Sequence, residues 1–140
     1  MQKVTFHWQD RRFAFKQTKK LKSFIESIFE TEGKHLDCLS YIFCSDKFLL
    51  NINKQYLQHD DYTDIITFDL SETKKEIIGE IYISVDRVKE NAAKFETSQA
   101  QEMNRVLFHG ALHLCGYRDK KTTEIKQIRS KEDYYLTHFN

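Results

Sequence analysis

The segment His109-Gly-Ala-Leu-His113-Leu-Cys-Gly116-Tyr-Arg-Asp119 constrains this chain more than any other. Positions i and i+4 of an α-helix lie about 40° apart around the axis, so His109 and His113 project the same way from successive turns. Gly116 then suits a helix C-terminus, where a residue without a Cβ takes φ > 0 at little cost. The chain can turn back there and offer a further side chain to the two imidazoles, and Asp119 is the nearest. Two histidines on a rigid strut plus a carboxylate from the following turn make a three-ligand metal site with an open position.

A His-x-x-x-His pair alone is weak evidence, since two ordinary helix histidines give the same spacing. Its surroundings add weight. Leu107, Leu112 and Leu114 make the helix apolar around the rings, and an imidazole pressed into such a surface costs free energy unless it has a partner. In the metalloprotease pattern His-Glu-x-x-His, the glutamate is the general base beside the ion. Here that position is Gly110, so a peptidase of that type lacks its base.

At 140 residues, 40% hydrophobic and 31% charged, the chain suffices for one compact domain, and no linker or composition shift divides it. We therefore expect a single domain over residues 1–140. No apolar run is long enough to span a bilayer, and the N-terminus lacks a secretory pattern, so a soluble, cytoplasmic protein is expected. Cys38, Cys44 and Cys115 are odd in number and form no Cys-x-x-Cys pair. They read as reduced, mostly buried small hydrophobes rather than disulfides or zinc ligands.

Val4, Phe6 and Trp8 alternate with polar residues, as in a strand with one buried face. From Lys19, the positions Leu21, Phe24, Ile25, Ile28 and Phe29 follow helical spacing, with Gly33 as a stop. Arg11, Arg12, Lys16, Lys19, Lys20 and Lys22 precede or open that helix, either as a phosphate-attracting face or as a solvated flank. Leu39 to Cys44 reads as a buried strand. Ser45 or Asp46 caps a helix with Phe48, Leu49, Ile52 and Tyr56 inward. Ile65, Ile66 and Phe68 build a strand, and Ile77 to Ser84 a stronger one. A helix from Ser84 or Val85 to Glu96 turns Val88, Ala92 and Phe95 inward. The helix carrying the histidines runs from Ser98 to Cys115, with Ser98 and Gln101 as a capping box. A last helix starts at Thr122 or Thr123 and contains Ile125, Ile128 and Leu136. This order predicts an α+β domain, a small mixed twisted sheet of about four strands packed with helices.

The stretch from His109 to Tyr117 resembles the signature of the YbeY family, bacterial single-strand-specific endoribonucleases and rRNA maturation factors, which reads His-Gly-x-Leu-His-Leu-x-Gly-Tyr-Asp-His. Arg118 and Asp119 stand where the family has Asp and a third ligand His, so the resemblance places Asp119 in the third-ligand position. Carboxylate oxygen ligates zinc at about 2.0–2.2 Å, so the exchange is compatible with binding. It makes the ion a weaker Lewis acid and admits iron or manganese as rivals to Zn2+. The run from Asn53 to Phe68 resembles Asn-x-x-Tyr-Arg followed by Pro-Thr-Asp-Val-Leu-Ser-Phe, with Tyr62 for the proline and Leu57 for the arginine. Gly79, Glu80 and Ile81 are similar to the family's Gly-Asp-Ile.

The resemblance implies a zincin-like arrangement, with the metal on a central helix and the turn after it, and a metal-dependent endoribonuclease of ribosomal RNA. Expected partners are single-stranded RNA and ribosomal particles or a ribosomal protein. His109, His113 and Asp119 are the expected ligands of one ion. The family arginine would clamp a phosphate, which Leu57 cannot do. Arg118, or less directly Arg87, is the expected substitute, and Thr63 the expected second catalytic side chain beside the cleft. His59 is either a metal or phosphate contact or an exposed loop residue, and His138 either a ligand or a frayed terminal side chain. Glu80 either supports a ligand histidine or faces solvent. Alternatives to the nuclease are a non-cleaving ribosome-assembly factor with a structural metal and, less favoured, a metallopeptidase.

Overall fold

A computed structural model describes residues 2–59 and 62–140. The stretch from Asn53 to Phe68 passes through positions 60 and 61, which lie outside the described residues.

Among the described residues nine elements follow in the order β1 (Val4–Trp8), α1 (Thr18–Thr31), β2 (Leu36–Cys44), α2 (Asp46–Leu57), β3 (Ile65–Asp69), β4 (Ile77–Ser84), α3 (Val85–Lys94), α4 (Gln99–Leu114) and α5 (Thr122–Phe139). The strands form one sheet in the order β1-β2-β4-β3. β1 and β4 each run parallel to β2, and β3 lies antiparallel to β4. The expected mixed four-stranded sheet is therefore present, and α1 provides the crossover that a parallel β1–β2 pair requires.

Strand alternation divides the apolar residues between two faces. On one face Leu39, Tyr41, Phe43, Ile81 and Ile83 pack with Phe108, Ala111 and Leu112 of α4 and with residues of α1, α3 and α5. On the other, Cys44 and Ile66 pack with Leu49 and Ile52 of α2. Tyr41 is fully buried, and its hydroxyl donates to the Leu107 carbonyl at 2.7 Å, so burying it strands no polar group. α4 crosses the sheet closely because position 110 has no side chain. A Cβ there would lie 2.7 Å from Cδ1 of Ile81 and 3.0 Å from Cδ1 of Ile65.

Several inward assignments need correction. Tyr56 is exposed, and α2 instead turns Asn53 inward beside Leu49 and Ile52. Phe95 caps the C-terminus of α3 and is exposed; on α5, Ile128, Glu132, Tyr135 and Leu136 are buried and Ile125 is exposed. Trp8 ends a strand at the sheet's edge, where no further strand covers it, and is exposed, whereas Val4 is buried. Cys38 is exposed; only Cys44 and Cys115 are buried. The basic run before α1 disperses: Arg11 pairs with Asp86, while Arg12, Lys20 and Lys22 sit over the rings of Trp8, Phe139 and Phe6.

Candidate metal centre

α4 is capped by Ser98, whose hydroxyl accepts from the Gln101 amide at 3.0 Å. It ends at Cys115, after which Gly116 takes φ +107°. The Gly116 amide donates to the His113 carbonyl and the Tyr117 amide to the Leu112 carbonyl, the paired bonds of a Schellman motif. That turn sends the chain back along the helix and brings Asp119 to the two imidazoles.

Oδ2 of Asp119 lies 3.3 Å from Nε2 of His109 and 3.3 Å from Nε2 of His113. One ligand atom from each of the three residues lies within 4.8 Å of the others. The remaining ring nitrogens are already engaged. Nδ1 of His109 donates to Oε2 of Glu132 at 2.5 Å, and Nδ1 of His113 donates to the Tyr117 carbonyl at 2.9 Å. Both acceptors fix the proton on Nδ1, which leaves both Nε2 lone pairs facing the Asp119 oxygen. Three such lone pairs repel one another unless a cation or a proton lies among them. Atoms about 2.0–2.2 Å from a tetrahedral ion are about 3.3–3.6 Å apart, which matches the two Asp119 distances. With all three ligand atoms within 4.8 Å of one another, the donor set is one that could hold a divalent ion.

Glu132 is 3% exposed and spans two partners, because its Oε1 accepts from Nη1 of Arg105 at 2.9 Å. Arg105 in turn binds Asp133 at 2.6 Å. Burial by itself would lower the His109 pKa, but the hydrogen bond and charge of Glu132, then the charges of Asp119 and Asp64, outweigh it and raise it. Burial pushes the Asp64 carboxyl up, against the opposing charge of His109. The turn is anchored from behind. Tyr117, whose carbonyl orients His113, donates its phenol to Glu32 at 2.7 Å, and Tyr135 and Lys131 bind the same carboxylate. Cys115 beside this turn is buried, and burial is the first cause that pushes its thiol up to about 12, so it is not a reactive thiolate.

The centre opens on a cleft of about 1070 Å³ between α4, α5 and the start of β3. Thr63 lines it, with its hydroxyl donating to the Ile65 carbonyl at 3.3 Å. Leu57 and His59 also line it, but His59 is not part of the three-residue group. Arg118 lines a smaller hollow outside, shared with His113, Asp119 and Lys120. Arg87 is held by Asp46 at 2.6 Å and does not line the cleft, so it is no substitute for the missing arginine. His138 is bonded to the Tyr134 carbonyl, and Glu80 accepts from the Tyr82 hydroxyl; neither joins the centre.

Glu102, Arg105, Arg129 and Glu132 line the cleft and were not anticipated. A signal existed for two of them. Glu102 and Arg105 stand seven and four residues before His109, on the same helix face. Glu132 interrupts the inward positions of α5 with a charge, which is a weaker signal.

Residues 4–140 match the family described as Endoribonuclease YbeY. The chain belongs to the YbeY family. A YbeY endoribonuclease of Cytophaga hutchinsonii is 45% identical over 134 residues, covering 96% of this chain and 94% of the relative. That of Flavobacterium psychrophilum is 47% identical over 118 residues, covering 84% of each. Among solved structures, the solution structure of TM1509 from Thermotoga maritima superposes with a TM-score of 0.64 at 27% identity, over 97% of this chain and 88% of that one. The family match and the group at His109, His113 and Asp119 thus meet in one fold.

Proposed function

We propose that this chain is a metal-dependent, single-strand-specific endoribonuclease acting in ribosomal RNA maturation and ribosome quality control in the cytoplasm. The observation that carries the proposal is the convergence of both Nε2 atoms on Asp119 Oδ2, in a member of the YbeY family.

In this reading His109, His113 and Asp119 hold one ion, with Zn2+ preferred and iron or manganese as rivals. When bound, the ion supplies a Lewis acid that lowers the pKa of water toward neutrality and polarises a phosphoryl oxygen. The chain's own residues do the rest. Glu132 and the Tyr117 carbonyl keep the ring protons on Nδ1 and hold the rings in register. Arg129 and Lys120 line the cleft and Arg118 its outer hollow, so each can meet a phosphodiester in place of the guanidinium that Leu57 lacks. Thr63 supplies a hydroxyl on the cleft wall for orienting substrate. The cleft is at the upper limit of small-molecule pockets, about 300–1,000 Å³, and suits an extended strand.

The test is incubation of metal-loaded protein with single-stranded RNA beside a His113→Ala control. Cleavage above the control is expected; equal cleavage with every metal supplied rejects the proposal. Leu57 on the cleft wall favours a second reading, a ribosome-assembly factor that binds without cutting and whose metal is structural. Ribosomal particles captured equally by wild-type and folded Asp119→Ala protein, without RNA cleavage by either, would select it. The metallopeptidase reading is the weaker because position 110 is packed against Ile65 and Ile81, with no room for a glutamate.

A further inference from the structure

Two cleft residues take no part in the centre, and their chemistry is complementary. Glu102, in the first turn of α4, is 6% exposed and lines the cleft; its amide donates to the Ser98 carbonyl, but its carboxylate has no hydrogen bond or ion pair with any described residue and only feels the charges of Arg105 and Arg129. Its oxygens still reach the cleft, but a carboxylate in that position gives up most of its water without gaining a donor, and a ligand that brings one offsets that cost. Phe95, at the C-terminus of α3, is 56% exposed and lines the same cleft, although burying such a ring is ordinarily favourable. Lys94 places Nζ 5.8 Å from the centre of that ring.

We propose that Phe95 and Glu102 form a nucleobase subsite selective for guanine, in which the ring stacks on the base and the carboxylate reads its Watson–Crick edge. This rests on RNA being the substrate. Single-stranded RNA is read by stacking of splayed bases on aromatic side chains and by hydrogen bonds to their edges. An ionised carboxylate offers two acceptors and no donor. Guanine alone presents two adjacent donors on that edge, N1–H and the N2 amine, which match the two oxygens. Adenine and cytosine set an acceptor beside their single amine, and uracil flanks its one donor with two acceptors, so each turns a lone pair toward the carboxylate. Burial raises the Glu102 pKa, and a ligand donating two N–H groups stabilises its ionised form.

The subsite lies apart from the chemistry. Glu102 stands seven residues before His109, two helical turns or about 10 Å along the axis and on the same face. The base it binds therefore belongs to a nucleotide flanking the linkage at His109 and His113.

The test uses fluorescence anisotropy of metal-loaded protein with labelled single-stranded oligouridylates carrying one guanosine, inosine or adenosine. The oligomers are 2′-O-methylated to slow cleavage. The guanosine oligomer is expected to bind about 5- to 100-fold tighter than the adenosine one, with inosine, which lacks the N2 amine, between them. Glu102→Gln should abolish that order, and Phe95→Ala should weaken all three by about 5- to 100-fold. Equal binding of the three oligomers to the wild type, or an order retained by Glu102→Gln, overturns the subsite. Because the wild-type comparison needs no variant, misfolding cannot rescue it. Cleavage of RNA without base preference would sink the subsite and leave the nuclease standing. Selective binding without cleavage would do the reverse, and no binding of any oligomer would sink both.

Discussion

Oε2 of Glu132 accepts a hydrogen bond from Nδ1 of His109 across the α4–α5 interface, with the carboxylate buried and its other oxygen held by Arg105. The side chain that orients His109 thus comes from a helix that begins after Asp119, so α5 has to dock before the group at His109, His113 and Asp119 is complete. Carboxylates in this relation to a ligating histidine typically account for about 10- to 100-fold in metal affinity.

Glu132→Gln is therefore expected to weaken Co2+ or Zn2+ binding by about 10- to 100-fold while the fold is kept, as read by titration against a competing chelator and by circular dichroism. Unchanged affinity would reduce Glu132 to a packing residue.

In the proposed centre Asp119 would supply a charged oxygen at the position where the resemblance to the family places an imidazole. Asp119→His should restore three neutral nitrogens and raise the preference for Zn2+ over Mn2+, because nitrogen donors suit zinc and carboxylate suits manganese. Asp119→Ala should weaken both metals. Competition titration of the two ions against each variant decides the point.

The carboxylate of Glu32 supports the metal turn from the far side through Tyr135, Tyr117 and Lys131. Burial by itself would raise its pKa, but those hydrogen bonds and the Lys131 charge outweigh burial and lower it below the ordinary 4.5. A depressed folded-state pKa adds stability above the unfolded value, and that stability is lost as pH falls through the folded value. Urea denaturation should show the wild type losing stability as pH drops below about 4.5, and Glu32→Gln should be less stable at neutral pH with a shallower acid slope. Equal slopes would show that Glu32 does not govern this loss.

Gly110→Glu places a carboxylate against Ile65 and Ile81 rather than in the cleft. It should destabilise the fold by about 3–5 kcal/mol, the range for an uncompensated buried charge, and should confer no peptidase activity. A stable variant that hydrolyses casein would contradict the orientation of this helix face.

Much of this was legible in the sequence because it rests on local signals. The imidazole spacing, Gly116 and the caps at Ser45 and Ser98 are set within a few residues and stand where read, although the capping box at Ser98 is only half formed, since the Gln101 side chain accepts from Asn140. β2, β3 and β4 carry dense β-branched and aromatic runs and were equally plain, although β2 begins at Leu36, ahead of Leu39. What escaped depends on tertiary packing. Tyr56 and Phe95 fit an inward helical period, yet both are exposed. Glu132 and Arg105 find each other across 27 positions, a pairing no local pattern encodes. Arg87 appeared free to meet a phosphate until the fold brought Asp46 to it.

The central claim is that His109, His113 and Asp119 together hold one divalent ion. Elemental analysis of the protein purified without added metal or chelator tests it most directly. One equivalent of a transition metal per chain is predicted for the wild type, with loss of that metal from folded His113→Ala. A folded wild-type protein that carries no transition metal, and takes up none when Zn2+, Mn2+ or Fe2+ is supplied, would contradict the account.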